Sequence, residues 1–409
     1  MGYPTLRSSC FVKNGKKCGK LRMKRSGSIG RRAYYAGMPT RAVLLVNLGS
    51  PDSPSVHDVR RYLREFLGDE RVLDLPAPLR WLLLEGVILP TRAKKSAHAY
   101  ASIWTPGGSP LMAISRRVRD KLGAVVGPDV PIYLAMRYGN PSVAEVVAQI
   151  VKEGAKELLL IPQYPHYAMS SWETVVVRVN EEVKRQAPFL RVTCIRPFYS
   201  DADYIDALYA VTAPYLGLPH DHLLFSYHGV PVRHLRKAGC THGRSARVAN
   251  CCPSISPNHA TCYRSQVLAT TRALAARAGL AADRYSVSFQ SRLAGEPWCQ
   301  PFTDAELARL PRLGVKRLLV ICPAFVADCL ETLEEISEAG KKVFFAAGGT
   351  TFQPIPCLND QAPYIDFLAG RVERWVAARN ALQAAKDTRR AKRGLTLKPN
   401  LNSNRGSRL

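Results

Sequence analysis

Two hydrophobic rhythms alternate along this chain. Short, nearly continuous apolar runs of strand length occur at Ala42–Val46, Pro131–Met136, Glu157–Ile161 and Arg191–Ile195, and again at Leu223–Phe225, which runs on into Ser226-Tyr227-His228. Between them lie stretches of helical character. Ser55 is placed to cap a helix carrying Val56, Val59, Tyr62, Leu63 and Phe66 on its apolar side, and Trp172–Val183 reads as another helix. Tyr100–Pro110 contains Trp104-Thr105-Pro106-Gly107-Gly108-Ser109-Pro110 and reads as a loop. Strands separated by helices predict an α/β fold, a parallel sheet with helices on both faces. Leu79–Leu89 fits neither rhythm. It is strongly apolar and broken only by Arg80, Glu85 and Gly86, which suits either a core helix or an exposed lip. The basic residues Arg92, Lys94 and Lys95 directly after it suit a membrane interface.

The pattern then repeats. Val46-Asn47-Leu48-Gly49-Ser50-Pro51 resembles Ser226-Tyr227-His228-Gly229-Val230-Pro231, with Leu48 opposite His228. Residues 154–161 (GAKELLLI) likewise resemble 314–321 (GVKRLLVI). This predicts two similar doubly wound domains facing each other, with a ligand cleft between them.

In parallel sheets, ligands sit at the carboxyl ends of the strands. Those ends offer Arg137, Tyr138, Tyr164, His166 and Tyr167 from the first half. The second half offers His228, Phe289–Arg292, Trp298 and Cys322–Glu331. Gly229 and Pro231 stop the strand just past His228, presenting an imidazole that can act as base or metal ligand near neutral pH. A merely hydrogen-bonded strand-end histidine is the plainer alternative. Aromatic rings with a few cations suit a flat, apolar ligand carrying carboxylates. Glu331 and Glu335 are four apart and share one helix face, which is either part of the site or solvated surface. Phosphate and acyl-transfer chemistry lack their motifs: there is no dinucleotide fingerprint, P-loop or Gly-x-Ser-x-Gly.

Charge changes the picture less than it first promises. The net +26 is concentrated at the ends: residues 1–41 hold eleven Lys or Arg and no acid, and residues 386–409 hold eight and one acid. Together they supply 18 of the 26 charges, so the body is only mildly basic and the ends, 1–40 and 381–409, read as disordered extensions. No nucleic-acid-binding motif accompanies them. The first forty residues are compatible with an organelle transit peptide, an unprocessed extension or a mis-set start, since Met38 precedes the first strand. No apolar run is long enough to span a bilayer.

Eleven cysteines without a secretory signal argue for reduced thiols or metal. Cys240, Cys251, Cys252 and Cys262 lie within a loop rich in Gly, Asn, Ser and Pro, where thiolates at this density suit zinc or an iron–sulfur cluster. The adjacent Cys251-Cys252 is not the spacing of a zinc ribbon.

Taken together, VNLGSP (46–51), MRY (136–138), PQY (162–164), SYHGVP (226–231), Gln290–Pro301 and PAFVADCLETL (323–333) resemble the ferrochelatase family over residues 42–375. The resemblance implies two Rossmann-like domains, 41–215 and 216–380, the second carrying the Cys-rich insertion 239–262. It implies insertion of Fe(II) into protoporphyrin IX as the last step of heme synthesis, with porphyrin and ferrous iron as substrates. His228 and Glu331 would carry metal and proton chemistry across the cleft. Arg137, Tyr138, Tyr164 and Trp298 match positions lining the porphyrin pocket, and Leu79–Leu89 falls where the family has its lip, in peripheral contact with the membrane. Some bacterial members hold a 2Fe-2S cluster on an internal Cys-rich segment, which this insertion resembles. Cys329 stands where many relatives have histidine. The rival readings are a chelatase for another metal or tetrapyrrole, and a porphyrin carrier without turnover. The bacterial cytoplasm is the expected compartment, the mitochondrial matrix the alternative, and the oligomeric state is open.

Overall fold

The computed structural model describes residues 40–240, 257–293 and 295–396, all within one compact unit, Pro39–Leu409. Eight strands form two four-stranded parallel sheets. β1 (Arg41–Asn47), β2 (Ile132–Met136), β3 (Glu157–Pro162) and β4 (Arg191–Cys194) lie in the order β2-β1-β3-β4. β5 (His222–His228), β6 (Tyr285–Gln290), β7 (Arg317–Ile321) and β8 (Thr351–Pro354) lie in the order β6-β5-β7-β8. The two orders are the same, as the repeated motifs predict.

Burial on both faces explains why the strands read as continuous apolar runs. Along β1, Ala42, Leu44 and Val46 pack outward against the helices Val143–Lys152 and Thr174–Gln186, while Val43 and Leu45 face inward. Along β5, Leu223, Phe225 and Tyr227 face inward as well, and one large core joins these inner faces. The helices Pro110–Val126, Ala202–Leu216 and Tyr263–Arg277 fill that middle layer.

The closing helix, Ala362–Thr396, belongs to the same core. The expected boundary at 380 puts this segment with the second half, yet it packs on Pro110–Val126 and Ala202–Leu216. Tyr364 Oη donates to Gln163 Oε1 at 2.8 Å, and Arg371 pairs with Asp201 at 2.7 Å. The tail needs a correction: residues 381–396, expected to be disordered, continue this helix. Ala, Lys, Arg and Gln are strong helix formers, and a helix already nucleated by packing extends at little cost. The N-terminal extension, apart from Thr40, lies outside the described residues.

Leu79–Leu89 is a helix, Ala77–Leu83, running through a π-turn into Leu89–Ile103. Leu84 and Leu89 are buried, but Trp81 is 65% and Leu82 60% exposed, with Leu79 and Val87 also outward. The stretch is therefore an apolar lip. The helix it leads into takes in Tyr100–Ile103, so the predicted loop is confined to the segment beginning at Trp104. None of the described helices is long and apolar enough to cross a membrane.

Candidate active site

His228 ends β5. The Gly229 N–H donates to Gln290 O at 2.8 Å, so the chain turns tightly against the end of β6. A Cβ on Gly229 would lie 2.9 Å from that same carbonyl and 3.3 Å from the Trp298 ring. The Tyr263 hydroxyl donates to His228 O at 2.8 Å, fixing the backbone from the opposite side. His228 Nδ1 lies 2.6 Å from Gly229 O. A carbonyl only accepts, so Nδ1 carries a proton, and in the neutral imidazole Nε2 then keeps its lone pair.

His228 opens on a cleft of about 700 Å³. Tyr62, Phe66, Trp298, Glu331 and Glu335 are among its walls, and Arg92 and Lys95 line it from the helix after the lip. His228 and Glu331 also line a narrower, deeper pocket of about 80 Å³ with Asn47, Tyr100, Tyr164, Phe325 and Cys329. The structure thus brings His228, Glu331, Tyr164 and Trp298 to connected cavities. The Tyr164 hydroxyl and Trp298 Nε1 are buried without hydrogen-bond partners.

Glu331 and Glu335 lie on a π-helix, Glu331–Gly340, whose wide turn keeps residues four apart nearly in line. Ser291 holds Glu335 with its backbone N–H, at 2.8 Å, and its hydroxyl. To aim that N–H, Ser291 adopts φ +65°, a left-handed conformation that non-glycine residues rarely take. Burial, joined by the Glu331 charge, raises the Glu335 pKa above the usual carboxylate range; the Ser291 hydrogen bonds and His228 pull the other way. Burial, followed by the Glu331 carboxylate, pushes the Cys329 thiol well above its usual pKa and keeps it protonated. Asp328 is turned elsewhere. It is held by Asn359 and Thr332 and lines a neighbouring groove with Glu334 and Glu338.

Arg137 and Tyr138 stand behind the cleft wall. Tyr138 is fully buried, with its hydroxyl 2.9 Å from Asp69 Oδ2 and its ring 5.1 Å from that of Phe66. Arg137 pairs with the same carboxylate. Left to burial, the Asp69 pKa would rise. Hydrogen bonds from Thr174 and the Arg71 N–H, with the Arg137 charge and Tyr138, outweigh burial and hold it below the usual range. The two residues therefore brace the Val56–Gly68 helix, which supplies Tyr62 and Phe66 to the wall. Sequence reasoning missed Asp69, an acid past a helix end with no motif around it.

Cys240 and Cys262 are free thiols at the base of the insertion, where Thr261 Oγ1 donates to Ala238 O at 2.9 Å. Cys251 and Cys252 lie outside the described residues. Among the described residues, no group of three or more His, Cys, Asp or Glu side chains could hold a metal ion.

Comparison with known proteins settles the family. The ferrochelatase family model matches residues 40–375. The chain belongs to the ferrochelatase family. A ferrochelatase from Opitutus terrae is 67% identical over 83% of this chain and 99% of its own length. One from Pseudomonas putida is 47% identical over 82% of this chain and 100% of its own. Among solved structures, SirB from Bacillus subtilis with Fe3+ overlaps loosely, at a TM-score of 0.47 and 12% identity over 82% of this chain and 94% of that one. As a ferrochelatase, the chain is an enzyme that inserts ferrous iron into protoporphyrin for heme synthesis.

Proposed function

We propose that His228 and Glu331 carry out the insertion, His228 as the acceptor of a pyrrole proton or as a ligand to the incoming Fe(II), Glu331 as the opposing carboxylate. The observation that carries this reading is the Nδ1–H···O contact from His228 to Gly229 at 2.6 Å, which leaves Nε2 available in a cleft that Glu331 also lines. Free-base porphyrin must lose two protons as it gains the metal. A neutral imidazole takes one, and Glu335, whose pKa is raised above the usual carboxylate range, is a stronger base than an ordinary carboxylate for the other. Tyr62, Phe66, Tyr164 and Trp298 hold the ring, and binding along its edge supplies the energy that bends it toward the metal. Arg137 and Tyr138 act on the porphyrin indirectly, through Asp69 and Phe66.

The test is anaerobic turnover with Fe(II) and protoporphyrin IX, followed by loss of porphyrin fluorescence and appearance of heme absorbance. His228→Ala is expected to abolish insertion and keep porphyrin binding; normal turnover in that variant sinks the assignment. Tight binding without turnover, under Fe(II), Co(II) and Zn(II) alike, would make the protein a carrier.

Three further parts belong to this reading. The enzyme works in the bacterial cytoplasm as two domains dividing near residue 216. Its exposed lip, with Trp81, Leu82 and the following basic residues, rests on the membrane surface, so Trp81→Glu should reduce co-sedimentation with anionic vesicles. Cys240, Cys251, Cys252 and Cys262 hold a 2Fe-2S cluster, supported by the two free thiols at the loop's base. Purified protein lacking both iron and visible absorbance removes the cluster.

A further inference from the structure

His234 is not called for by the insertion chemistry, yet it lines the same cleft as His228 and Glu331. It lies on the short helix Val232–Lys237 that begins just beyond Pro231. The residue is only 4% exposed, and neither Nδ1 nor Nε2 has a hydrogen-bond partner. Burial and the Arg233 guanidinium, against a smaller opposing pull from Asp74, bring its pKa down to about 4. The ring is therefore neutral at physiological pH and presents one N–H donor. The same cleft holds a second unmatched donor. Pro231 forms an antiparallel bridge with Trp298, and the Val232 N–H donates to Pro297 O at 2.9 Å, so the two segments are zipped together. Trp298 Nε1, also buried and without a partner, lines the same cleft.

Buried polar groups without partners are costly, and two such donors lining one ligand cleft call for an acceptor on the ligand. The cations nearby are already matched, Arg233 to Glu296 at 3.0 Å and Lys237 to Asp74 at 2.7 Å. That places His234 among the charged groups of a rim. The edge of a porphyrin carries hydrocarbon groups and carboxylates, and of these only the carboxylates accept hydrogen bonds. The nitrogens at the ring centre belong to the chemistry at His228 and Glu331.

We propose that His234 donates its ring N–H to a peripheral carboxylate of the porphyrin, with Trp298 Nε1 as the second donor, so that this corner of the cleft fixes the ring's orientation. The inference rests on the porphyrin reading above. A hydrogen bond to a charged acceptor at a desolvated site is worth about tenfold in affinity.

The experiment compares dissociation constants of protoporphyrin IX and its dimethyl ester, by quenching of protein fluorescence, for the unsubstituted protein and for His234→Leu, His234→Asn and Trp298→Phe. His234→Leu is expected to cut the preference for the acid over the ester by about tenfold. His234→Asn, which keeps a donor, should restore part of it. Trp298→Phe, which keeps a ring and loses the N–H, should reduce it independently. In turnover with the acid, His234→Leu should raise KM far more than it lowers kcat. An unchanged acid-to-ester ratio in both His234→Leu and Trp298→Phe overturns the proposal, as does a fall in kcat at unchanged KM, which would move His234 to the proton chemistry. If the unsubstituted protein binds neither porphyrin, the functional reading itself fails and takes this inference with it.

Discussion

In the first half, β1 runs into Leu48 and Gly49; in the second, β5 runs into His228 and Gly229. The scaffolds beneath them match closely. Asn47 pairs with Met136 where Tyr227 pairs with Phe289. The Met136 N–H donates to Pro141 O at 2.7 Å, and the Phe289 N–H to Pro301 O at 2.8 Å; both prolines follow cis peptide bonds. What differs is the chain between those paired residues. Four residues, Arg137–Asn140, make the return in the first half, and the side chains of Arg137 and Tyr138 turn inward onto Asp69. Eleven, Gln290–Gln300, make it in the second, and they bring Ser291 to Glu335 and Trp298 to the cleft wall. Matching strands thus hold the frame, and the loop of the second half lines the cleft. Its partner became a brace.

The largest expected effect comes from exchanging the key residue of each half. His228→Leu makes the second half like the first and should lower kcat for iron insertion by about a thousandfold. Leu48→Ala, at the equivalent place, should change kcat/KM by less than about tenfold, because it removes only apolar wall. Equal losses in the two variants would mean that the halves share the chemistry.

The paired glycines offer the next contrast. Gly49 has φ +113°, and a Cβ there would meet Tyr138 O at 1.8 Å, a backbone atom that cannot step aside. Gly49→Ala should cost about 3 kcal/mol or more in denaturant unfolding. Gly229→Ala meets Gln290 O at 2.9 Å without a strained φ, so it should cost about 1 kcal/mol and show itself mainly as a raised porphyrin KM through the displaced Trp298.

The third contrast concerns the two carboxylates, whose pKa values move in opposite directions. Asp69 is held low, so its contribution is present at neutral pH and is lost as pH falls through the lowered value. Asp69→Ala should destabilise by about 3 kcal/mol at neutral pH by leaving Arg137 buried and unpaired. The deficit should shrink in acid. Glu335 is held high, so it favours folding while protonated and loses that contribution as pH rises through the raised value. Glu335→Gln should therefore raise Tm by about 2 °C at about pH 8 and leave it unchanged at about pH 4. Opposite signs, read by calorimetry across pH, would mean that the brace and the active site have been assigned the wrong way round.

Much of this was legible in the chain before folding. Continuous apolar runs marked six of the eight strands or their repeats, and the Gly-Pro spacing after β1 and β5 marked the duplicated turn. His228 could be singled out because glycine and proline stop its strand, and Glu331 because the motif around it matches a family. Burial was harder to read. Tyr138 follows a strand end as plausibly as Tyr164 does, yet it is packed behind Phe66, and nothing local distinguishes the two. Leu79–Leu89 was ambiguous for the same reason: the composition of a core helix and of an exposed lip is the same.

Sequence alone determined the strand-and-helix rhythm, the repeat and the family, and it marked His228 and Glu331 as candidates, since each depends on residue types at short spacing. The tertiary structure decided which of those side chains share a cavity, how Ser291 bends to hold Glu335, and that His234 and Trp298 line one cleft with unmatched donors. It also carried the last helix back across the first half. These are consequences of packing between segments far apart in the chain, where each wall of the cleft is set by what lies behind it, and no local pattern records that.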